Sequence, residues 1–127
     1  MDQRTMVSDS EWKIMELLWQ NDALTMTEIT QVLSKSTGWS KHTVISLLKR
    51  MCAKGSAQVV PGTSPMAYRA LITRQEAVRQ ETHQVLRKVF GGKSTLLISQ
   101  LVQQDDFSDD EIDELMQLLD AKRGEKR

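Results

Sequence analysis

The amino-acid sequence predicts a mainly α chain with one small β-hairpin, and three observations carry that reading. Helix starts of the form Ser/Thr-x-x-Glu recur four times, at Ser8-Asp9-Ser10-Glu11, Thr25-Met26-Thr27-Glu28, Thr73-Arg74-Gln75-Glu76 and Ser108-Asp109-Asp110-Glu111. Between the second and third starts runs a helical pattern with both ends marked: Ser40 as cap, and Gly55 where a left-handed stop is wanted. Directly after Gly55 come two short β-type runs around a Pro- and Gly-rich turn.

Taken in order, the first helix runs from Ser8 to about Gln20, with Trp12, Met15, Leu18 and Trp19 as its apolar stripe. Asn21-Asp22 breaks it. The second opens at Thr25, carries Ile29, Val32 and Leu33 on one face, and ends at Ser36-Thr37-Gly38. The third opens at Trp39-Ser40, and its Val44, Leu47, Leu48 and Met51 recur at helical spacing as the core stripe. Its opposite face carries His42, Thr43, Ser46, Lys49 and Arg50, all hydrogen-bond donors and none acidic. A helix followed by two short helices joined through a polar turn is helix-turn-helix organisation. Residues 56–60 and 66–71 read as strands around Pro61-Gly62-Thr63-Ser64-Pro65, which makes the pair a wing. The predicted architecture is therefore a winged helix-turn-helix domain over residues 1–72 and a helical dimerisation region over residues 73–127.

In the second region a long helix runs from Thr73 to about Phe90 with Val78, Val85, Leu86, Val89 and Phe90 on its apolar side. Gly91-Gly92 punctuates it as a candidate hinge. A short apolar helix covers residues 94–102, and a last helix from Ser108 carries Ile112, Leu115, Met116, Leu118 and Leu119, with Lys122-Arg123 suiting its C-terminal dipole. These helices hold more apolar surface than about 50 residues can bury alone. A homodimer is the expected solution, with Leu96, Leu97, Leu101, Ile112, Leu115, Met116 and Leu119 at the interface. A two-fold dimer of helix-turn-helix units matches palindromic double-stranded DNA.

Charge distribution supports that expectation. The chain balances 17 Lys and Arg against 17 Asp and Glu, yet residues 29–75 contain no acid while Lys35, Lys41, Lys49, Arg50, Lys54, Arg69 and Arg74 lie there. Residues 1–90 carry twelve cations against eight acids, and residues 91–127 five against nine. A basic segment followed by an acidic one assigns the electrostatic footprint to the first region. Candidate DNA contacts are Ser40 and Thr43 at the helix start, Lys41, His42, Ser46 and Arg50 over base edges, and Thr63, Ser64, Tyr68 and Arg69 on the wing. Arg50 to guanine is the first choice for a base contact and Lys49 the alternative. Trp39 either packs in the core or touches a sugar or phosphate; Tyr68 either reaches a phosphate or covers the core edge.

Enzymes are excluded on the residues: there is no Gly-rich phosphate loop and no paired nucleophile and base. Cys52, His42 and His83 are too few and too dispersed for a closed metal site, and no cofactor is expected. The acidic run Asp105-Asp106…Asp109-Asp110-Glu111 lacks the alternating ligands and glycine of a calcium loop and reads as helix capping. Met1-Asp2-Gln3-Arg4-Thr5 precedes no apolar run, so a cytoplasmic protein without a leader or membrane span is expected. A winged-helix module that binds protein instead of DNA is the alternative reading.

The whole chain resembles the penicillinase-repressor family (BlaI/MecI/CopY type). The resemblance rests on Ser10-Glu11-Trp12 with Met15 and Trp19, Trp39-Ser40…Thr43-Val44…Leu47-Leu48…Arg50, Lys54-Gly55, the Tyr68 strand, and Asp106-Phe107-Ser108…Glu111-Ile112-Asp113-Glu114-Leu115. It implies a homodimeric repressor on palindromic operators of resistance, sensor-protease or copper-export genes. Two departures stand out. The tail Ala121-Lys122-Arg123-Gly124-Glu125-Lys126-Arg127 lacks the C-x-C thiolates of the copper-responsive branch. The short apolar helix lacks the Asn-Phe bond at which the β-lactam branch is cut by a sensor protease; Gln100-Leu101 is the candidate cleavage region that the resemblance leaves, and the releasing signal stays open.

Overall fold

The structure, a computed structural model, describes residues 6–104 and 106–125. The leader reading of Met1 to Thr5, Asp105 of the acidic run and the last two residues of the basic tail lie outside them. Among the described residues, six helices and three short strands follow one another as α1 (Asp9–Gln20), β1 (Leu24–Thr25), α2 (Met26–Thr37), α3 (Lys41–Lys54), β2 (Ala57–Val59), β3 (Ala67–Ala70), α4 (Arg74–Phe90), α5 (Ser94–Gln104) and α6 (Asp109–Glu125).

Each predicted helix start is present. The Ser8 and Thr25 hydroxyls accept from Glu11 N and Glu28 N, and each glutamate reaches back to its cap. Ser40 Oγ accepts from Thr43 N, while Gly38 and Gly55 close α2 and α3 at φ 74° and 88°. A Cβ is disfavoured in that left-handed region, which is why glycine stands at both stops.

The chain divides into two compact units at Gln84/Val85, inside α4. In the first unit the three strands form an antiparallel sheet ordered β1-β3-β2, with Leu24 opposite Tyr68, and Val59 opposite Tyr68 on the other side. Two-residue β1 went unread in the sequence because its pairing partner is more than 40 residues away. The core gathers Ile14, Met15 and Leu18 of α1, Ile29 and Leu33 of α2, Val44, Leu47, Leu48 and Met51 of α3, and Tyr68, Ile72 and Ala77.

Corrections to the stripes are local. Ile14 rather than Trp12 or Trp19 sits at the centre of α1's buried face, and the two tryptophans pack edge to face at its margin, 5.5 Å apart. Trp19 Nε1 donates to Ile72 O at 2.9 Å, tying α1 to the chain leaving β3. Val32 is exposed, not part of the α2 core face.

In the second unit, Gly91 and Gly92 both have positive φ, and Gly92 N donates to Leu86 O at 3.0 Å. Neither α5 nor α6 has a buried residue. Leu96, Leu101, Val102, Ile112, Met116, Leu118 and Leu119 stand open, from 42% exposed at Leu101 and Ile112 to 62% at Leu118. Among the described residues no helix is long and apolar enough to cross a membrane.

Candidate nucleic-acid interface

Helix α3 is held by its buried stripe against α1 and α2, so its outer face is presented rigidly. Lys41, His42, Thr43, Ser46 and Lys49 are all exposed there. His42, Ser46 and Lys49, spaced by one turn each, form the central line of that face. Ser40 is exposed at the helix start, its Oγ 3.4 Å from both Thr43 N and Thr43 Oγ1. Cap and hydroxyl together mark a positive helix end suited to an anion.

The wing presents Thr63, Ser64 and Arg69 at the surface. Thr63 Oγ1 donates to Val60 O at 3.1 Å and accepts from Ala67 N at 3.2 Å, so it fastens the turn whose tip it occupies. Arg69 Nε donates to Gln58 Oε1 at 3.0 Å across the hairpin.

Three residues of the expected set are placed differently from a bare contact surface. Tyr68 is 7% exposed and lies in the core, which fits the covering role and takes its ring away from a phosphate. Trp39 is half-buried against the core, as its packing reading has it. Arg50 is exposed, but its Nε is bonded to Glu11 Oε2 at 3.0 Å. That leaves Lys49 as the unpaired cation of the central line among the described residues.

Sequence reasoning missed two features. Glu11 was accounted for by capping alone, so nothing pointed to a partner on α3. A notch lined by Met26, Lys41, His42 and Ile45, continued by Pro65 and Met66 of the wing, joins the start of α2 to that of α3. Its apolar members are spread over three elements, which no single periodicity reveals.

Beneath this surface, burial pushes the Cys52 thiol above its ordinary range, and burial followed by the nearby Cys52 charge does the same for the Tyr68 phenol. No group of three or more His, Cys, Asp or Glu among the described residues is arranged to hold a metal.

A three-helix domain with a β-hairpin beside an acid-free third helix defines a winged helix-turn-helix protein. The chain belongs to the penicillinase repressor family, whose model ("Penicillinase repressor") matches residues 7–121. The penicillinase repressor of Bacillus licheniformis is 25% identical over 121 residues, covering 95% of this chain and 94% of that protein. The methicillin resistance regulatory protein MecI of Staphylococcus aureus (strain N315) is 26% identical over 123 residues, covering 96% of this chain and all of that one. Among solved structures, the DNA-binding domain of the repressor BlaI superimposes with a TM-score of 0.52 at 25% identity, covering 60% of this chain and 93% of that domain.

Proposed function

We propose that this protein is a sequence-specific DNA-binding repressor that works as a homodimer on a palindromic operator in the cytoplasm. The observation that carries the reading is the exposed, acid-free face of α3, flanked by the wing and backed by a rigid core. His42, Ser46 and Lys49 sample base edges in the major groove, while Ser40, Thr43, Ser64 and Arg69 hold phosphates. Family membership and the likeness to the BlaI DNA-binding domain support it.

The bare leucine-rich faces of α5 and α6 support dimerisation. They include an open groove of about 440 Å³ lined by Val102, Phe107, Ile112, Leu115, Met116 and Leu119. Leu96, Leu97 and Leu101 extend that surface. Penicillinase and methicillin-resistance repressors as relatives favour control of a resistance or stress operon. Release follows either a sensor protease cutting near Gln100-Leu101, both exposed on α5, or another signal.

A mobility shift on the protein's own promoter region, with random duplex as competitor, tests this reading. Binding that survives competitor, followed by a footprint with two-fold symmetry, is expected. Failure to bind either duplex would remove the repressor reading and turn attention to a protein partner.

A further inference from the structure

All four helix-start glutamates do the same capping work, but three of them, Glu28, Glu76 and Glu111, do it while exposed. Glu11 is the exception, with a side chain 0% exposed. Its Oε1 accepts from Ser8 N at 3.1 Å and from Lys54 Nζ at 2.6 Å, and its Oε2 accepts from Arg50 Nε at 3.0 Å. Capping does not require that burial. A carboxylate out of water must be paired, and both partners here come from the last turns of α3.

Lys54 also donates to Met6 O at 2.8 Å, so two of its three N–H donors are used, one of them on Glu11. Two cations on one carboxylate leave the cluster with net positive charge, carried outward by the guanidinium of Arg50. Its side chain is 59% exposed, and its two Nη atoms carry no hydrogen bond to another described residue. A guanidinium is planar, so a bond from Nε to a fixed carboxylate restricts its plane and leaves the Nη1/Nη2 end as a pair of parallel donors.

We propose that Glu11 is a positioning residue for DNA recognition: from behind α3 it orients Arg50 so that the Nη1/Nη2 end meets a pair of acceptors on duplex DNA, either a guanine edge or a phosphate. The inference rests on the DNA-binding reading above and adds to it a residue that never touches DNA.

Anisotropy titrations with promoter and random duplexes test it, on wild type, Glu11→Gln, Arg50→Ala and the double variant. Glu11→Gln is expected to weaken binding about tenfold when Arg50 is present and less than about twofold when residue 50 is Ala. Equal loss in both backgrounds would overturn the proposal and leave Glu11 as a fold contact. Loss confined to the promoter duplex assigns the guanine edge; equal loss on both duplexes assigns phosphate. Wild type that binds neither duplex fails the repressor reading itself and takes this proposal with it, a result separable from lost coupling. Should Glu11→Gln not fold, the Arg50 side-chain NMR signals of wild type decide. The Nε–H resonance is expected to stay unchanged on adding DNA while the Nη resonances move. An Nε–H that moves to its solvent-exposed position would overturn the proposal.

Discussion

The two units solve the same problem differently. Residues of α1, α2 and α3 bury their apolar stripes inside one chain, whereas α5 and α6 carry apolar side chains at helical spacing and bury none of them. Periodicity reports that a face is apolar; whether this chain covers it is a separate matter. The contrast sets a unit with a buried core against one whose apolar faces are open, and the proposed second copy would cover those faces.

The largest expected effect on folding comes from the covered side. Leu48 is fully buried, so Leu48→Ala should cost about 2–5 kcal/mol in urea unfolding, independent of protein concentration. On the bare side, Ile112→Glu combined with Leu119→Glu should turn a sedimenting dimer into a monomer. Trp12, Trp19 and Trp39 all lie in the first unit, so the tryptophan-detected unfolding midpoint should scarcely move. A large drop in that midpoint would show that the α6 face belongs to the first core.

Smaller effects sharpen the picture of the first unit. Ser40→Ala removes the α3 cap and should cost about 1 kcal/mol, with weaker DNA binding if the helix start holds a phosphate. Alkaline pH tests the floor beneath the surface. Cys52 and Tyr68 are both neutral when protonated, and both are raised in the fold, so the folded chain holds these protons more tightly than the unfolded one. Their contribution is full below the ordinary thiol range and is lost as pH rises through the raised values. Urea midpoints should therefore fall above about pH 9, and less steeply in Cys52→Ala.

What the sequence made legible was mostly local. Caps and stops act over three or four residues, so Ser8, Thr25, Ser40, Gly38 and Gly55 could be read directly and mark the observed ends. The long-range features were not legible: the β1–β3 pairing and the Glu11 cluster reaching 39 and 43 residues ahead. Tyr68 shows the same limit from the other side. Its type suited both a phosphate and a core, and only the neighbouring strands decide between them.

The most direct measurement is the affinity of the full chain for its promoter duplex as a function of salt, for wild type and Lys49→Ala. Counterion release makes the logarithm of affinity fall steeply with the logarithm of salt when phosphates are held. The expected result is such a fall for wild type; if Lys49 holds a phosphate, the slope becomes shallower by about one in Lys49→Ala, and if it reads a base, the loss is confined to the promoter duplex. A wild-type affinity that does not respond to salt, or no binding at all, would contradict the assignment of α3 to DNA.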